Sequence, residues 1–353
     1  MVTIEEVKSP IVDELVIFNT KFDAALDTEN KLLNVVHQHV KNNKGKQIRP
    51  TLTLLSAKIC GNINENTYKT ALSLELLHTA SLIHDDIVDN SSLRRGQSSV
   101  NAIWDNHISV LVGDYLLSQS LQIAAQADNL AVIDLITHLG KQLAEGELLQ
   151  IGNAQKISIN EENYLEVIRK KTAMLFTVCT TCGAVTALDC HDKLSDQMLD
   201  EDKQRKAGKT IEQETDRQKQ KIAMMRHFGE LYGMSFQIRD DIFDYIADEK
   251  KIGKPVGNDI REGKVTLPLI YAYNHSTESE QKVVMEILKQ KDFSEENVGE
   301  LINFAIKKGG IEYAQKRMED FSKEAEKQLE TFEESDAKTA LQQLICYSTQ
   351  RKK

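Results

Sequence analysis

Residues 71–89 read ALSLELLHTASLIHDDIVD, and this stretch decides the fold. Its apolar residues occupy almost every side of a helix, which is typical of a helix at the centre of a bundle rather than on its surface. A second stretch of the same kind, residues 228–245, reads FGELYGMSFQIRDDIFDY. Both stretches end in an aspartate cluster. The sequence therefore predicts two central helices that each carry carboxylates at one end.

The rest of the chain also indicates helices. It contains four prolines, none of them between Pro50 and Pro255, and proline is the residue that helix interiors exclude. Alternation with a period of two, the signal of a strand, is nearly absent. Apolar residues instead recur at three-to-four spacing, as at Val132, Leu135, Ile136, Leu139 and Leu143. We predict an all-α fold that forms a single domain over residues 1–353.

One segment differs from this pattern. Residues 192–221 hold eight acidic and eight basic residues and few apolar ones. A solvated excursion explains this composition better than a functional charge run does.

The composition limits the class of partner. The net charge of −10 argues against nucleic acid, because phosphate backbones attract basic surfaces. Residues 1–10 lack the pattern of a signal peptide, and no apolar run reaches membrane-spanning length, so we expect a cytoplasmic protein with no membrane span. The five cysteines are an odd number, which argues against a disulfide framework. Cys179 and Cys182 have redox or zinc spacing but lie in an apolar stretch, which favours core packing.

The two aspartate clusters pose an electrostatic problem. Asp85 and Asp89 share one helix face, as do Asp240 and Asp244, because residues four apart are neighbours on a helix. Like charges repel, and burial makes the repulsion stronger because solvent does not screen it. Hard oxygen ligands with open coordination positions suit Mg²⁺ shared with a phosphate-bearing substrate. One such cluster is more often an exposed acidic turn, but two clusters on two apolar helices indicate metal binding.

Positive charge occurs where a diphosphate would need it. Arginine suits bidentate phosphate binding and lysine serves as a point charge. No P-loop or glycine-rich dinucleotide fingerprint offers another phosphate-binding interpretation. The candidate phosphate-binding residues are Lys46, Arg49, Arg94, Arg95, Lys171 with its neighbour Thr172, Lys254 and Lys264.

Taken together, these motifs resemble those of the trans-polyprenyl diphosphate synthases, from about residue 30 to the C-terminus. The resemblance implies a bundle around a central cavity, an isoprenoid synthase-like fold that forms a homodimer. One departure is that the usual GGKR opening reads KGKQ at residues 44–47. The matching motifs are GKxxRP (45–50), ELLHTASLIHDDIVD (75–89), RRG (94–96), GD (113–114), GELLQ (146–150), KT (171–172), FQ (236–237) and DDIFD (240–244).

The resemblance also implies a role for each matching residue. Asp85, Asp89 and Asp240 would hold Mg²⁺ ions on an allylic diphosphate, and the remaining catalytic carboxylates would be Asp86, Asp241 and Asp244. The isopentenyl diphosphate pocket, which needs no metal, would consist of Lys46, Arg49, His78 and Arg95. The side chains implied to bind the allylic diphosphate are Arg94, Lys171, Thr172, Gln237 and Lys254, and Lys264 is a further candidate for substrate binding.

The product length depends on two small residues. Ala80 and Ser81 precede Asp85 by about one helical turn, roughly 6–7.5 Å. Small residues at this place resemble the medium- and long-chain enzymes, of the heptaprenyl and octaprenyl type. The resemblance then implies a farnesyl or geranylgeranyl diphosphate primer and a product used for quinone side chains. The alternative for the same residues is that they only allow close helix packing.

Other functions remain possible on the sequence. They are a short-chain (C15–C20) synthase and a subunit that needs a partner for activity. A terpene cyclase is disfavoured because the chain has residues for an isopentenyl pocket, and an inactive regulatory subunit because both clusters are complete. A di-metal bundle is disfavoured because its Glu-x-x-His pairs are absent.

Overall fold

Long helices follow the predicted apolar stretches. This computed structural model describes residues 2–42, 45–191, 217–246 and 256–350. A 3₁₀ turn, Ser9–Ile11, joins the first two helices, and a π-helical turn, Arg169–Ala173, joins the ninth and tenth. The helices are α1 (Ile4–Lys8), α2 (Val12–Ala25), α3 (Lys31–Asn42), α4 (Ile48–Cys60), α5 (Glu65–Val88), α6 (Val100–Trp104), α7 (Asn106–Ala125), α8 (Leu130–Lys156), α9 (Glu161–Ile168), α10 (Met174–Ala187), α11 (Arg217–Ile246), α12 (Asn258–Arg261), α13 (Leu267–Asn274), α14 (Glu278–Gln290), α15 (Glu295–Lys307), α16 (Gly310–Leu329) and α17 (Asp336–Gln350). The all-α prediction is confirmed.

Helix α5 lies at the centre of the bundle, as its sequence predicts. Asn64 caps its first turn, because the Asn64 side chain accepts a hydrogen bond from the Thr67 N–H at 3.0 Å. Further along, two reciprocal hydrogen bonds of 2.8 Å join Ser73 to Ser120 of α7, each hydroxyl donating to the other residue's carbonyl. These bonds satisfy buried polar groups and hold α5 against α7.

Helix α11 is the second central helix. Phe228 and Tyr232 in its first half belong to a large core formed with the N-terminal helices, α10 and α17. Ile238 and Ile242 in its second half belong to another core, formed with α13, α15 and α16. The second aspartate cluster therefore lies at the end of a helix that contributes buried residues to both cores, as the sequence of residues 228–245 predicted.

A small β-hairpin follows the first aspartate cluster, and the sequence did not predict it. Strand β1 (Leu93–Arg94) pairs antiparallel with β2 (Gln97–Ser98). Arg95 (φ 54°) and Gly96 (φ 78°) are both left-handed, as the central residues of a tight hairpin turn require. Strands of two residues are too short to show a period of two, so the pattern of the sequence could not reveal them.

Helix α7 corrects one expectation. Among the described residues it is the one helix that is long and apolar enough to cross a membrane, with a mean hydropathy of 1.2 over its best window. Ser109, Asp114 and Gln119 interrupt its apolar residues, so the sequence alone did not indicate an apolar run of membrane-spanning length. One side of α7 packs against α5, so its apolar composition is used at least in part inside the bundle.

The cysteine prediction is confirmed. Cys179 and Cys182 lie fully buried on α10, and both are free thiols. Burial raises the pKa of Cys179 to about 12, so its thiol stays protonated and unreactive. Lys254 and most of the charged stretch 192–221 lie outside the described residues.

Candidate active site

The three aspartates of the first cluster lie in different surroundings, because within the described ranges Asp86 is bound by an arginine whereas Asp85 and Asp89 are not. Asp85 and Asp89 follow each other by one turn at the C-terminal end of α5, and the Asp89 N–H donates to the Asp85 carbonyl at 2.8 Å. Asp86 instead turns inward, is 3% exposed, and accepts a hydrogen bond from Arg94 Nε at 2.8 Å. Arg94 and Asp86 thus form an ion pair, while Asp85 and Asp89 share the face that the sequence predicted.

The Asp85 carboxyl lies in an environment that disfavours its charge. Burial raises the pKa of Asp85 to about 6. The cation of Lys171 opposes this shift, while the carboxylates of Glu147 and Asp89 add to it. A carboxylate in this state gains from a nearby cation, which is what a metal-binding position requires.

The second cluster also contains a buried member with protein partners. Asp241 is 4% exposed and accepts hydrogen bonds of 2.7 Å from the Tyr164 hydroxyl and from Gln237 Nε2. Burial raises the pKa of Asp241 well above its usual value, and the carboxylate of Asp259 adds to this shift. Tyr164 and Gln237 therefore fix the position of Asp241.

Asp244 has a different role in the same cluster. Its two carboxylate oxygens accept hydrogen bonds of 2.9 Å from the backbone N–H groups of Asn258 and Asp259, at the start of α12. These bonds tie the end of α11 to the segment that leads to Lys264. Asp240 is half-buried, and its charge acts on both Asp241 and Asp259.

Lys171 and Thr172 lie on the π-helical turn Arg169–Ala173. Lys171 Nζ lies 2.5 Å from Glu147 Oε2, and the Thr172 hydroxyl donates to Gln237 Oε1 at 2.7 Å. Single π-helical turns inside helices are frequent at functional sites. Here the turn brings two substrate-binding candidates of the sequence analysis to the cavity between the clusters.

The close approach of two segments explains one motif of unknown role. A Cβ atom at Gly146 would lie 2.9 Å from the Lys171 backbone nitrogen and 2.9 Å from Lys170 Cβ. Helix α8 can therefore approach the π-helical turn only because residue 146 is glycine. This contact places Glu147 beside Lys171.

Two neighbouring cavities lie between the clusters. Lys264 lines both of them, with its Nζ 3.7 Å from Asp89 Oδ1 and 2.5 Å from Glu262 Oε2. The smaller cavity, of about 230 Å³, is lined by Lys171, Thr172, Gln237 and Asp241 among others. The larger, of about 580 Å³, reaches Asp89 and Glu147. Asp89 at the end of α5 and Asp241 on α11 thus line two adjacent cavities that share Lys264.

The residues predicted to bind isopentenyl diphosphate come from the loop before α4, from α4, from α5 and from the hairpin turn. A Cβ atom at Gly45 would lie 2.5 Å from the Arg95 guanidinium carbon, so the loop before α4 contacts Arg95. Lys46 Nζ lies 5.4 Å from the Tyr347 ring centre, and the Arg49 guanidinium carbon lies 5.3 Å from that of Phe176. Arg94 and Arg95 both line a small cavity beside the hairpin, together with Glu75 and Asp86.

His78 stands among these arginines as a neutral group. It is 6% exposed, and its pKa lies well below the usual value because of burial and then the charges of Arg49, Arg95 and Arg94. A neutral imidazole can donate one hydrogen bond to a diphosphate without adding charge.

The two small residues lie where the sequence placed them. Ala80 is 1% exposed, whereas Ser81 is half-buried. The Ser81 hydroxyl donates to the His78 carbonyl at 2.9 Å. Because this hydrogen bond is made within α5, Ser81 presents a small side chain that needs no polar partner from another helix.

Sequence reasoning missed several residues at the site. Glu147 and Gln150 belong to the GELLQ motif but had no assigned function, and Tyr164 and Asp259 carried no motif at all. Asp259 lines the smaller cavity, and burial, reinforced by Asp244, raises its pKa to about 7. Only the spacing between a central aspartate cluster and a later acidic residue could have pointed to Asp259, and that spacing is not specific.

The donor set fits a hard divalent cation that shares its ligands. In the described part of the chain no three carboxylate, histidine or cysteine side chains converge closely enough to hold a metal ion by themselves. Asp85 and Asp89 nevertheless offer oxygen ligands, and the ammonium near Asp89 shows that this carboxylate accepts a cation. Mg²⁺ typically takes one or two carboxylates and completes its shell with water and phosphate oxygens.

Comparison with known proteins gives a consistent result. The sequence model of the family described as polyprenyl synthetase matches residues 30–200 and 205–305. The octaprenyl diphosphate synthase of Haemophilus influenzae is 31% identical over 351 residues, which cover 99% of this chain and 98% of that protein.

Solved structures share the fold over the whole chain. The polyprenyl synthase of Caulobacter crescentus, complexed with calcium and isoprenyl diphosphate, has a TM-score of 0.86 at 26% identity and covers 100% of this chain and 99% of its own. The geranylgeranyl pyrophosphate synthase of Bacteroides thetaiotaomicron has a TM-score of 0.78 at 37% identity, with 99% of each chain covered. The Caulobacter crescentus structure thus contains a divalent cation together with a diphosphate.

Proposed function

Because the chain belongs to the polyprenyl synthetase family, we propose that it is a trans-prenyltransferase that lengthens an allylic diphosphate with isopentenyl diphosphate in successive steps. The product is a medium- or long-chain all-trans polyprenyl diphosphate. The observation that carries this proposal is that Asp89 of the first cluster and Asp241 of the second line two adjacent cavities that share Lys264, with Lys171 lining the smaller of the two. A diphosphate is the group that needs both metal ligands and fixed cations at one place.

The allylic diphosphate lies between the clusters in this proposal. Asp85, Asp89 and Asp240 hold Mg²⁺, whose contribution when bound is to neutralise the charge that develops on pyrophosphate. Asp241 and Asp244 support this arrangement through Tyr164, Gln237 and α12. The side chains that hold the diphosphate oxygens directly are Arg94, Lys171, Thr172, Gln237, Lys254 and Lys264.

Isopentenyl diphosphate occupies the separate basic pocket formed by Lys46, Arg49, His78 and Arg95. His78 and Asp85 lie seven residues apart on α5, two turns along one face, so a single helix contributes to both pockets. Holding the double bond against the allylic carbon converts a bimolecular step into a positioned one. The proton released after carbon–carbon bond formation passes to the departing pyrophosphate, so no dedicated protein base is needed.

The product chain grows from the clusters toward Ala80 and Ser81 and passes them because both are small. A second candidate is a short-chain product, since a geranylgeranyl pyrophosphate synthase is 37% identical to this chain. The primer we propose is farnesyl or geranylgeranyl diphosphate, and the product supplies quinone side chains.

We also propose that the protein forms a homodimer and acts in the cytoplasm. The outer face of α7 supports the dimer, because four apolar residues on that helix are between 38% and 68% exposed: Val110, Leu111, Tyr115 and Leu121. Exposed apolar groups gathered on one element mark an association surface.

The test is to incubate the purified protein with labelled isopentenyl diphosphate, farnesyl diphosphate and Mg²⁺, and to size the prenyl product by chromatography. A product longer than geranylgeranyl diphosphate supports the proposal, and a product that stops there supports the short-chain alternative. Absence of any condensation, with the protein folded and Mg²⁺ present, contradicts both. Omission of Mg²⁺ with added chelator is the control.

A further inference from the structure

Helix α5 carries a buried glutamate whose position none of the proposed steps explains. Glu75 lies one turn before His78 and is 8% exposed. Its Oε2 atom has no hydrogen-bond partner among the described residues. A buried carboxylate is costly unless opposite charges lie close to it, so the surroundings of Glu75 should contain the reason for its presence.

Two of the charges that surround Glu75 belong to the proposed isopentenyl pocket. Burial raises the pKa of Glu75, and the charges of Arg49 on α4, then Arg95 on the hairpin and Lys8 on α1, oppose this shift. The Glu75 and Arg95 side chains also line one small cavity together with Gln47. The acidic group thus lies where two different elements bring arginines together.

Arg49 is less exposed than Arg95. Its Nε atom is buried without a hydrogen-bond partner among the described residues, and its guanidinium lies 5.3 Å from the Phe176 ring centre. Burial lowers the pKa of Arg49, and Glu75 is the charge that opposes this shift most strongly. Arg95 is exposed on the hairpin and lies against Gly45, and Glu75 is the opposite charge that acts on it.

We propose that Glu75 is a positioning residue for isopentenyl diphosphate, whose carboxylate keeps the Arg49 and Arg95 guanidinium groups together and aimed at that diphosphate. The inference rests on the proposed function and assigns part of its specificity to a residue that does not contact substrate. Without the anion the repulsion between the two cations is not compensated, and we expect their guanidinium groups to be held less firmly. Fixed donors bind a diphosphate better than donors that must be ordered during binding.

The substitution Glu75→Gln removes the charge and retains the shape. We expect the KM for isopentenyl diphosphate to rise about tenfold, which corresponds to the loss of one charge-assisted interaction. The KM for the allylic diphosphate and the turnover at saturating substrate should change less than about twofold, because Asp85, Lys171 and Lys264 are untouched.

The experiment measures both KM values with wild type, Glu75→Gln, Glu75→Asp and a matched control, Glu65→Gln. Glu65 is an exposed glutamate on the same helix that pairs with Lys21 at 2.6 Å, so its loss should leave both KM values unchanged. Glu75→Asp keeps the charge and should recover part of the lost affinity. Calorimetric titration of metal-free enzyme with isopentenyl diphosphate gives the same comparison without turnover.

A double variant tests whether Glu75 acts through Arg95. If it does, adding Glu75→Gln to an Arg95→Lys enzyme should cost less than it costs in wild type, because the two changes affect one interaction. Unchanged or improved isopentenyl diphosphate binding in a folded Glu75→Gln protein overturns the inference, as does an equal loss for both substrates. A wild-type protein that condenses neither substrate contradicts the proposed function itself, which separates the two failures.

Discussion

Lys264 Nζ lies 3.7 Å from Asp89 Oδ1, so the segment that follows the second aspartate cluster contacts the first cluster directly. The two residues of this ion pair are 175 positions apart in the sequence. Lys264 also lines the two adjacent cavities, of which one reaches Asp89 of the first cluster and the other reaches Asp241 of the second. The chemistry proposed for each cluster can therefore act on one ligand.

Asp85→Ala should abolish condensation and leave the fold intact. Loss of a ligand to the proposed Mg²⁺ should reduce kcat by about 10²–10³-fold or more. Burial raises the pKa of Asp85 to about 6. At pH 8 the residue is ionised, so the folded state carries a partly buried charge that is better solvated in the unfolded state. The Tm in metal-free buffer should thus stay the same or rise. Near-normal turnover would refute the metal assignment, and a large fall in Tm would contradict the pKa argument.

Gly146→Ala should lower activity through the π-helical turn. The added Cβ would lie 2.9 Å from the Lys171 backbone nitrogen, so α8 and the turn must separate and shift Lys171 and Thr172. We expect the KM for the allylic diphosphate to rise by about tenfold or more.

The matched control for this variant is Gly140→Ala, on the same helix. No atom lies within 4 Å of a Cβ at residue 140, so alanine should stabilise the protein by up to about 1 kcal/mol and leave the kinetics unchanged. Equal kinetics for Gly146→Ala and Gly140→Ala would show that the close approach has no functional consequence.

Tyr164→Phe should weaken the second cluster without removing a carboxylate. The Tyr164 hydroxyl donates to Asp241 at 2.7 Å, and its loss leaves a buried acceptor with one donor fewer. We expect a loss of about 1–3 kcal/mol in the free energy of unfolding and a fall of about tenfold in kcat. Tyr313→Phe is the control. The Tyr313 hydroxyl donates a hydrogen bond of 2.7 Å to Glu161, and neither residue lines the two cavities. A kcat as high as that of the control enzyme would count against a supporting role.

Ala80→Phe should shorten the prenyl product. The phenyl ring would enter the path proposed for the growing chain about one turn below Asp85. Since Ala80 is 1% exposed, some loss of stability is expected from overpacking. Ser81→Phe, at a half-buried position, tests the same path with less strain.

Product sizing by chromatography checks both variants against Ser279→Phe, which adds the same ring at an exposed position of α14. If both variants make product of wild-type length, the path does not pass these residues.

Leu111→Asp should yield a monomer. Leu111 is 68% exposed on α7, and a carboxylate in an apolar association surface would be desolvated without a partner. Light scattering coupled to gel filtration gives the mass. Val283→Asp on α14, where the side chain is 46% exposed, is the control. A dimer that persists in Leu111→Asp would place the association surface elsewhere on the protein.

The sequence by itself determined the helical class, the two central helices and the direction of the open carboxylates. These depend on local geometry, because a helix repeats every 3.6 residues and residues four apart always share a face. Asp85 and Asp89 could thus be paired without any knowledge of the fold, and the resemblance added which basic residues to consider.

Only the tertiary structure separated the six aspartates into different roles. Asp86 accepts a hydrogen bond from Arg94, and Asp241 accepts hydrogen bonds from Tyr164 and Gln237. Asp244 accepts hydrogen bonds from the backbone at the start of α12. Each partner except Gln237 comes from another element, and a periodic pattern carries no information about which elements will meet. The π-helical turn, the hairpin and the position of Glu75 were decided in the same way, by the packing of segments distant in sequence.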